Sequence, residues 1–318
     1  MPSPPESFQI VVAAPGRLEE AMSALLGAGP SAAARFVRQA ATAGVALDHI
    51  WCLADERDRY RSAVLSVASP GRAAMLLASH PRDRQECDRI GALVEAAALG
   101  SAAFADIAQA LVDPSRTLEV QAFEAGGLRR IATLDYLERN LPRAGVLEAP
   151  PPPAGWSIEP VAPAEILGGG DPRALPVPIR VEICEVLERS YVDTLDCPGL
   201  AGMRGTQDVL DGHFGVGART RHWLAARENG AMRGVCLLNV APDGSNAELV
   251  YLGLAPEARG RGVAASLLAH GMRACSRSFC SSVTLAVDAR NTHACRLYDA
   301  HGFRKVSSRV ALVRRTRP

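Results

Sequence analysis

Residues 248–270 read Glu248-Leu-Val-Tyr-Leu-Gly-Leu254-Ala-Pro256-Glu-Ala-Arg259-Gly-Arg-Gly262-Val-Ala264-Ala-Ser-Leu-Leu-Ala-His270. Glu248 to Leu254 is a short apolar run with one acid at its head, which predicts a buried strand. Pro256 closes it, because proline cannot donate to a sheet ladder. From Val263 to Ala274 apolar residues recur at helical spacing among good helix formers. Between the two lies Arg259-Gly260-Arg261-Gly262-Val263-Ala264, a glycine-rich turn that opens straight into the helix. Such a junction leaves backbone N–H groups unpaired at the positive end of the helix dipole, a place suited to a pyrophosphate. Gly260, Gly262, Val263 and Ala264 let an anion approach the backbone, and Arg259 and Arg261 add charge. The spacing fits neither the phosphate loop ending in Gly-Lys-Ser/Thr nor the three-glycine dinucleotide fingerprint.

Downstream, Ser282 to Val287 reads as a second apolar strand and Asn291 to His301 as a short helix stopped by Gly302. Asn291 and Tyr298 are seven residues apart, close to two turns, so they share a helix face. Arg259-x-x-Gly262-x-Ala264 after a strand, followed by Asn291-x-x-Ala294-x-x-Leu297-Tyr298-x-x-x-Gly302-Phe303, resembles the GNAT superfamily of acetyl-CoA-dependent N-acetyltransferases. The resemblance runs from Gly155 to about Arg315. It implies an α/β (α+β) fold with a mixed central sheet flanked by helices. It also implies that acetyl-CoA is bound by Leu252, Gly253 and Leu254 along the strand, by residues 259–264 at the turn, and by Asn291. In the same way it implies that Tyr298 protonates the departing thiolate. An amine must lose a proton before it attacks, so a base or a water relay is expected; Glu248, at the head of the central strand, is the best-placed carboxylate, with a plain strand-edge acid as the alternative.

The acceptor side is expected between the first and second strands of this region. Val181 to Tyr191 reads as an amphipathic helix, and Val192 to His213 as irregular and polar. Tyr191, Asp193, Asp196 and His213 are the candidates for contacting an amine, with turn and cap roles as the plain alternative for the acids. No residue pattern selects a small-molecule over a peptide acceptor, although a tandem arrangement also resembles the mycothiol synthase type. Without the chemistry, the same motifs would describe a non-catalytic acyl-CoA-binding module.

The first half repeats the second. A shift of 175 residues puts Pro81 on Pro256, Arg84 on Arg259, Val112-Asp113 on Val287-Asp288, and Ala125-x-Gly127 on Ala300-x-Gly302. Strands are expected at Ala63–Val67, Ala73–Ala78 and Leu128–Leu137, and helices over Leu18–Ala43, broken near Gly27–Pro30, and over Glu86–Ala98. At the chemical positions the copies part: Gly262 becomes Cys87, Ala264 becomes Arg89, Asn291 becomes Arg116, Tyr298 becomes Phe123 and Glu248 becomes Ala73. Two tandem domains of one fold are therefore expected, a degenerate copy over 1–147 and a catalytic copy over 155–318. The four prolines Pro150 to Pro153 mark a stiff linker over 148–154.

The 318 residues carry a net charge of +1 and only 5% aromatics, which argues against a nucleic-acid groove or an anionic-membrane patch. Met1 to Ser7 lacks the charged start and apolar core of a signal peptide. Eight cysteines without a Cys-x-x-Cys pair read as reduced thiols, so a cytoplasmic protein is expected, as monomer or homodimer. The histidines show no metal-ligand spacing.

Overall fold

The computed structural model describes residues 8–142, 147–168, 174–214 and 220–317. The terminal segment Met1–Ser7 falls outside them, as do residues 169–172, where the sequence Gly168-Gly-Gly-Asp-Pro172 reads as a loop. The chain divides into two compact units, residues 1–131 with 309–318, and residues 132–308.

In the first unit, β1 (Gln9–Val12), β2 (Ile50–Ala54), β3 (Tyr60–Ser69) and β4 (Ala73–Ala78) pair antiparallel in that order, and β4 runs parallel to β5 (Ile107–Val112). Helices α1 (Leu18–Leu26) and α2 (Pro30–Thr42) cover one face, with Met22, Leu25, Ile50 and Leu65 in the core. Helices α3 (Arg84–Gly100) and α4 (Thr117–Ala125) cover the other, around Ile90, Leu93, Phe123 and Leu312. The expected break at Gly27–Pro30 is there: Gly27 ends α1 in the left-handed conformation and Pro30 begins α2.

The second unit contains β7 (Trp156–Pro160), β8 (Thr220–Glu228), β9 (Ala231–Val240) and β10 (Asn246–Leu254) in antiparallel order, with β10 parallel to β11 (Ser282–Asp288). Asn229 and Gly230 both take positive φ in the β8–β9 turn, as an Asn-Gly hairpin requires. One face carries α5 (Ala164–Gly168), α6 (Val177–Ser190) and α7 (Thr206–His213), around Ile183, Leu187, Trp223 and Leu237. The other carries α8 (Val263–Arg277) and α9 (Thr292–Ala300), around Leu267, Leu268, Leu285 and Tyr298. The polar stretch before His213 was expected to be irregular; its last eight residues are α7.

The last strand of each half lies with the other half's strands. β6 (Arg129–Asn140) closes the second unit, its residues Leu134–Asn140 antiparallel to Asp288–Ser282 of β11. β12 (Arg304–Arg315) does the same for the first, Val310–Arg315 pairing antiparallel with β5. The two strands occupy corresponding places in the repeat, as do α4 and α9, at the 175-residue offset. The compact units thus divide the chain elsewhere than at the proline-rich stretch, because equivalent strands offer equivalent edges and can be traded without loss of pairing.

Candidate active site

Strand β10 holds the key irregularity. Opposite β9, Leu249 faces Leu238 and Tyr251 faces Leu237, so two residues advance against one and Val250 forms a bulge. On its other side β10 pairs with β11 only from Asn246 to Leu249, although β10 continues to Leu254 and β11 to Asp288. Beyond Leu249 and Leu285 the two strands splay apart. A cleft of about 770 Å³ opens there, lined by β10 from Leu249 to Leu254, by Ala286 and Val287 of β11, and by the starts of α8 and α9.

The start of α8 forms one end. Gly260 and Gly262 have φ of +71° and +77°, which only glycine adopts without strain, and a Cβ at Gly262 would meet nothing closer than 4.0 Å. Gly262 caps the helix without any side-chain bond, and the first turn holds no acidic residue. The free N–H groups there face the cleft through Val263, Ala264 and Ala265. Arg259 is fixed by bonds from Nη2 to the Ser190 carbonyl (2.9 Å) and from Nε to the Leu254 carbonyl (3.3 Å). Arg261 turns elsewhere: it pairs with Glu228 at 2.8 Å, lies over the Trp156 ring and does not line the cleft.

At the other end Tyr298 projects from α9. Its ring packs edge-on to Phe303 at 5.7 Å, and its hydroxyl takes no hydrogen bond from the described residues. Burial, then the nearby Asp196, hold the phenol well above its ordinary pKa, so it stays protonated. Asn291 caps α9, its Oδ1 accepting from the Ala294 N–H at 3.2 Å, and so sets the helix that carries Tyr298.

The loop after α6 forms the remaining wall through Tyr191, Asp193, Thr194, Leu195 and Asp196. It is fastened to the end of β11: the Asp288 N–H donates to Asp196 Oδ1, and the Cys197 N–H donates to Asp288 Oδ2, both at 3.2 Å. Burial pushes the Asp288 carboxyl up, but the Arg290 guanidinium and the Arg290 and Cys197 N–H groups outweigh it, leaving a firm anion.

Of the residues expected from the sequence, the cleft gathers Leu252, Gly253, Leu254, Arg259, Gly260, Gly262, Val263, Ala264, Asn291, Tyr298, Tyr191, Asp193 and Asp196. Glu248, Arg261 and His213 lie outside its lining. Glu248 sits where the ladder is still closed, opposite Thr284 on one side and Asn239 on the other. His213 packs behind Tyr251 at 5.1 Å, and burial lowers its pKa to about 4. Tyr251 and Ser190 were not anticipated. Their hydroxyls bond at 2.6 Å, and the Tyr251 ring lies so close over Gly253 that a Cβ there would be 2.5 Å away. The alternation Tyr251-x-Gly253 was the available signal. Among the described residues, no group of three His, Cys, Asp or Glu is placed to hold a metal, and no helix is long and apolar enough to cross a membrane.

Residues 189–303, which contain every residue lining the cleft, match the model of the acetyltransferase (GNAT) family. This segment is a GNAT domain. The fold of the chain as a whole is that of tandem GNAT proteins. A GCN5-related N-acetyltransferase from Sphaerobacter thermophilus superposes with a TM-score of 0.58 at 20% identity, covering 98% of this chain and 96% of that one. A tandem GNAT protein from the clavulanic acid biosynthesis pathway does so with a TM-score of 0.53 at 17% identity, covering 98% and 99%. No curated protein matches the chain. In the GNAT domain, the bulged β10, the uncapped α8 and Tyr298 are thus elements of an acetyltransferase-family fold.

Proposed function

We propose that this protein transfers the acetyl group of acetyl-CoA to a primary amine of a small-molecule or peptide acceptor. The observation that carries the reading is the coincidence, in one cleft, of an open strand edge, an uncapped helix N-terminus and a buried, unpartnered tyrosine hydroxyl.

Each part suits one portion of the donor. The N–H groups at Gly262, Val263 and Ala264, with Arg259 at the rim, would hold the pyrophosphate. The free edge of Leu252, Gly253 and Leu254 would pair with an extended pantetheine amide chain, as a missing strand would. Acetyl-CoA supplies an activated thioester. The chain's own residues align it with the amine, exclude water, and offer the Tyr298 proton to the sulfur as the C–S bond breaks. In sequence terms 155–318 is the catalytic copy, completed by β6, and 1–147 is the degenerate one.

Titration calorimetry should give one acetyl-CoA per chain, and Gly262→Glu should abolish it by bulk and by like charge against phosphate. Two per chain, or unchanged affinity in the variant, would overturn the site. Release of free thiol from acetyl-CoA with a panel of primary amines tests the reaction; binding without any release would leave an acyl-CoA-binding module.

A further inference from the structure

We propose that Asp196 is the catalytic base that takes the proton from the acceptor amine, in the place that Glu248 was expected to fill. This rests on the acetyl-transfer reading of the cleft.

Two observations carry it. Glu248 is held where β10 and β11 are still paired and does not line the cleft, whereas Asp196 lines the cleft together with Tyr298. Asp196 is also fixed. The Asp288 N–H holds Oδ1 at 3.2 Å, and the next residue is tied back to the Asp288 carboxylate, so one oxygen is anchored to the sheet and Oδ2 is left for a ligand. Asp193 lines the same wall at a positive φ, but among the described residues no hydrogen bond fixes its carboxylate.

The surroundings suit a base. The titratable groups near Asp196 are Asp288 and Arg290 at the end of β11, Cys295 and Tyr298 on α9, and Tyr251 on β10, and His293 in the first turn of α9 lines the same cleft. Tyr191 and Cys197 flank it on its own loop. The Arg290 charge is spent on Asp288, so the site holds no cation turned to Asp196 among these groups. Asp196 is open to solvent at the cleft mouth, while its carboxyl has enough protein around it to lose part of its hydration. That burial raises its carboxyl above the ordinary range, against the Asp288 N–H, and the Asp288 charge adds to the rise. A carboxylate whose pKa is raised is the better proton acceptor.

The step balances. An acceptor ammonium gives one proton to the Asp196 carboxylate, which later passes it to solvent. The freed nitrogen lone pair forms the C–N bond, and the C–S bond breaks. The Tyr298 hydroxyl proton goes to sulfur, and the proton shed by the new amide nitrogen restores the phenol.

The test compares two probe acceptors with acetyl-CoA: tyramine, an ammonium ion at pH 7, and hydroxylamine, already neutral there. Asp196→Asn should cut thiol release with tyramine by ~100-fold or more, and far less with hydroxylamine, and Asp196→Glu should recover part of the loss. In the free protein, carbon-13 titration of labelled aspartate should show one carboxyl with a midpoint above the ordinary range, missing in Asp196→Asn. Equal losses with both probes would overturn the assignment, as would the absence of such a carboxyl from the wild type. So would a selective tyramine loss in Glu248→Gln or His293→Gln. A wild type that releases thiol with neither amine, nor with the wider panel, would sink the transfer reading itself.

Discussion

Tyr298 occupies a position where its ring and its hydroxyl have separable duties. The ring is part of the core against Phe303, the residue lines the cleft, and the hydroxyl has no hydrogen-bond partner among the described residues. Tyr298→Phe should therefore leave acetyl-CoA affinity close to normal and lower turnover ~10–1000-fold; unaltered single-turnover rates would remove the hydroxyl from the reaction. His213 does a different job. Its ring is buried beside Tyr251, and its Nε2 has no partner among the described residues. Because its folded pKa is depressed to about 4, protonation favours the unfolded chain. The sign follows: stability falls as pH drops below the ordinary histidine value near 6.5, and the loss is complete near pH 4, amounting to about 3 kcal/mol at most. Urea unfolding between pH 7 and 4.5 should show this slope in the wild type and a shallower one in His213→Gln. Tyr298 was legible from its spacing to Asn291 and Gly302. The burial of His213 was not, because it depends on Tyr251 being turned by a bulge that leaves no mark in the composition of β10.

Among elements, the two equivalent helices α3 and α8 show how a site is lost. α8 begins at Gly262 with no capping side chain and no acid in its first turn. α3 begins at Asp83, whose side chain accepts the Glu86 N–H at 2.8 Å, while the Glu86 carboxylate accepts the Arg82 N–H. The positive end of α3 is thus filled by the chain's own acids. Cys87 is buried with its thiol toward the Leu118 carbonyl, and Arg89 lies over the Phe8 ring. Asp83→Ala should lower stability by about 1 kcal/mol, read as a shift in urea midpoint, and should create no acetyl-CoA site. The Cys87 and Arg89 replacements were readable in the sequence; the capping by Asp83 and Glu86 that completes the closure came from the structure. The splay of β10 from β11 was not readable, because both strands look equally able to pair along their whole length. β4 and β5 splay in the same way, pairing only from Ala73 to Met75 with Ile107 to Gln109. The β3–β4 ladder, however, runs without a bulge, so the first unit has the opening without the irregular wall.

At the level of the molecule, a cut at the proline-rich stretch does not yield a finished fold. A fragment Gly155–Pro318 lacks Leu134–Asn140, which pair along the whole of β11, and exposes that edge. It should aggregate or melt well below the full chain, whereas a fragment of residues 128–308 retains the strand and should bind acetyl-CoA. Equal thermal midpoints for Gly155–Pro318 and the full chain would show that β6 contributes nothing to the second unit. Two copies of one fold could be recognised from sequence because matched residues recur at a fixed offset. Which strand closes which sheet could not, since β6 and β12 carry the same pattern. The exchange also bears on the order of manufacture. Translation delivers β5 well before its partner Val310–Arg315, with β6 to β11 made in between. The first unit therefore begins to form before the strand that completes it exists, and one side of β5 stays open while the second unit is being made. A stop just after Ser308 would spare the cleft and strip the closing strand from the first unit, so an error late in the reading frame would be felt in a unit built mostly from residues translated long before it.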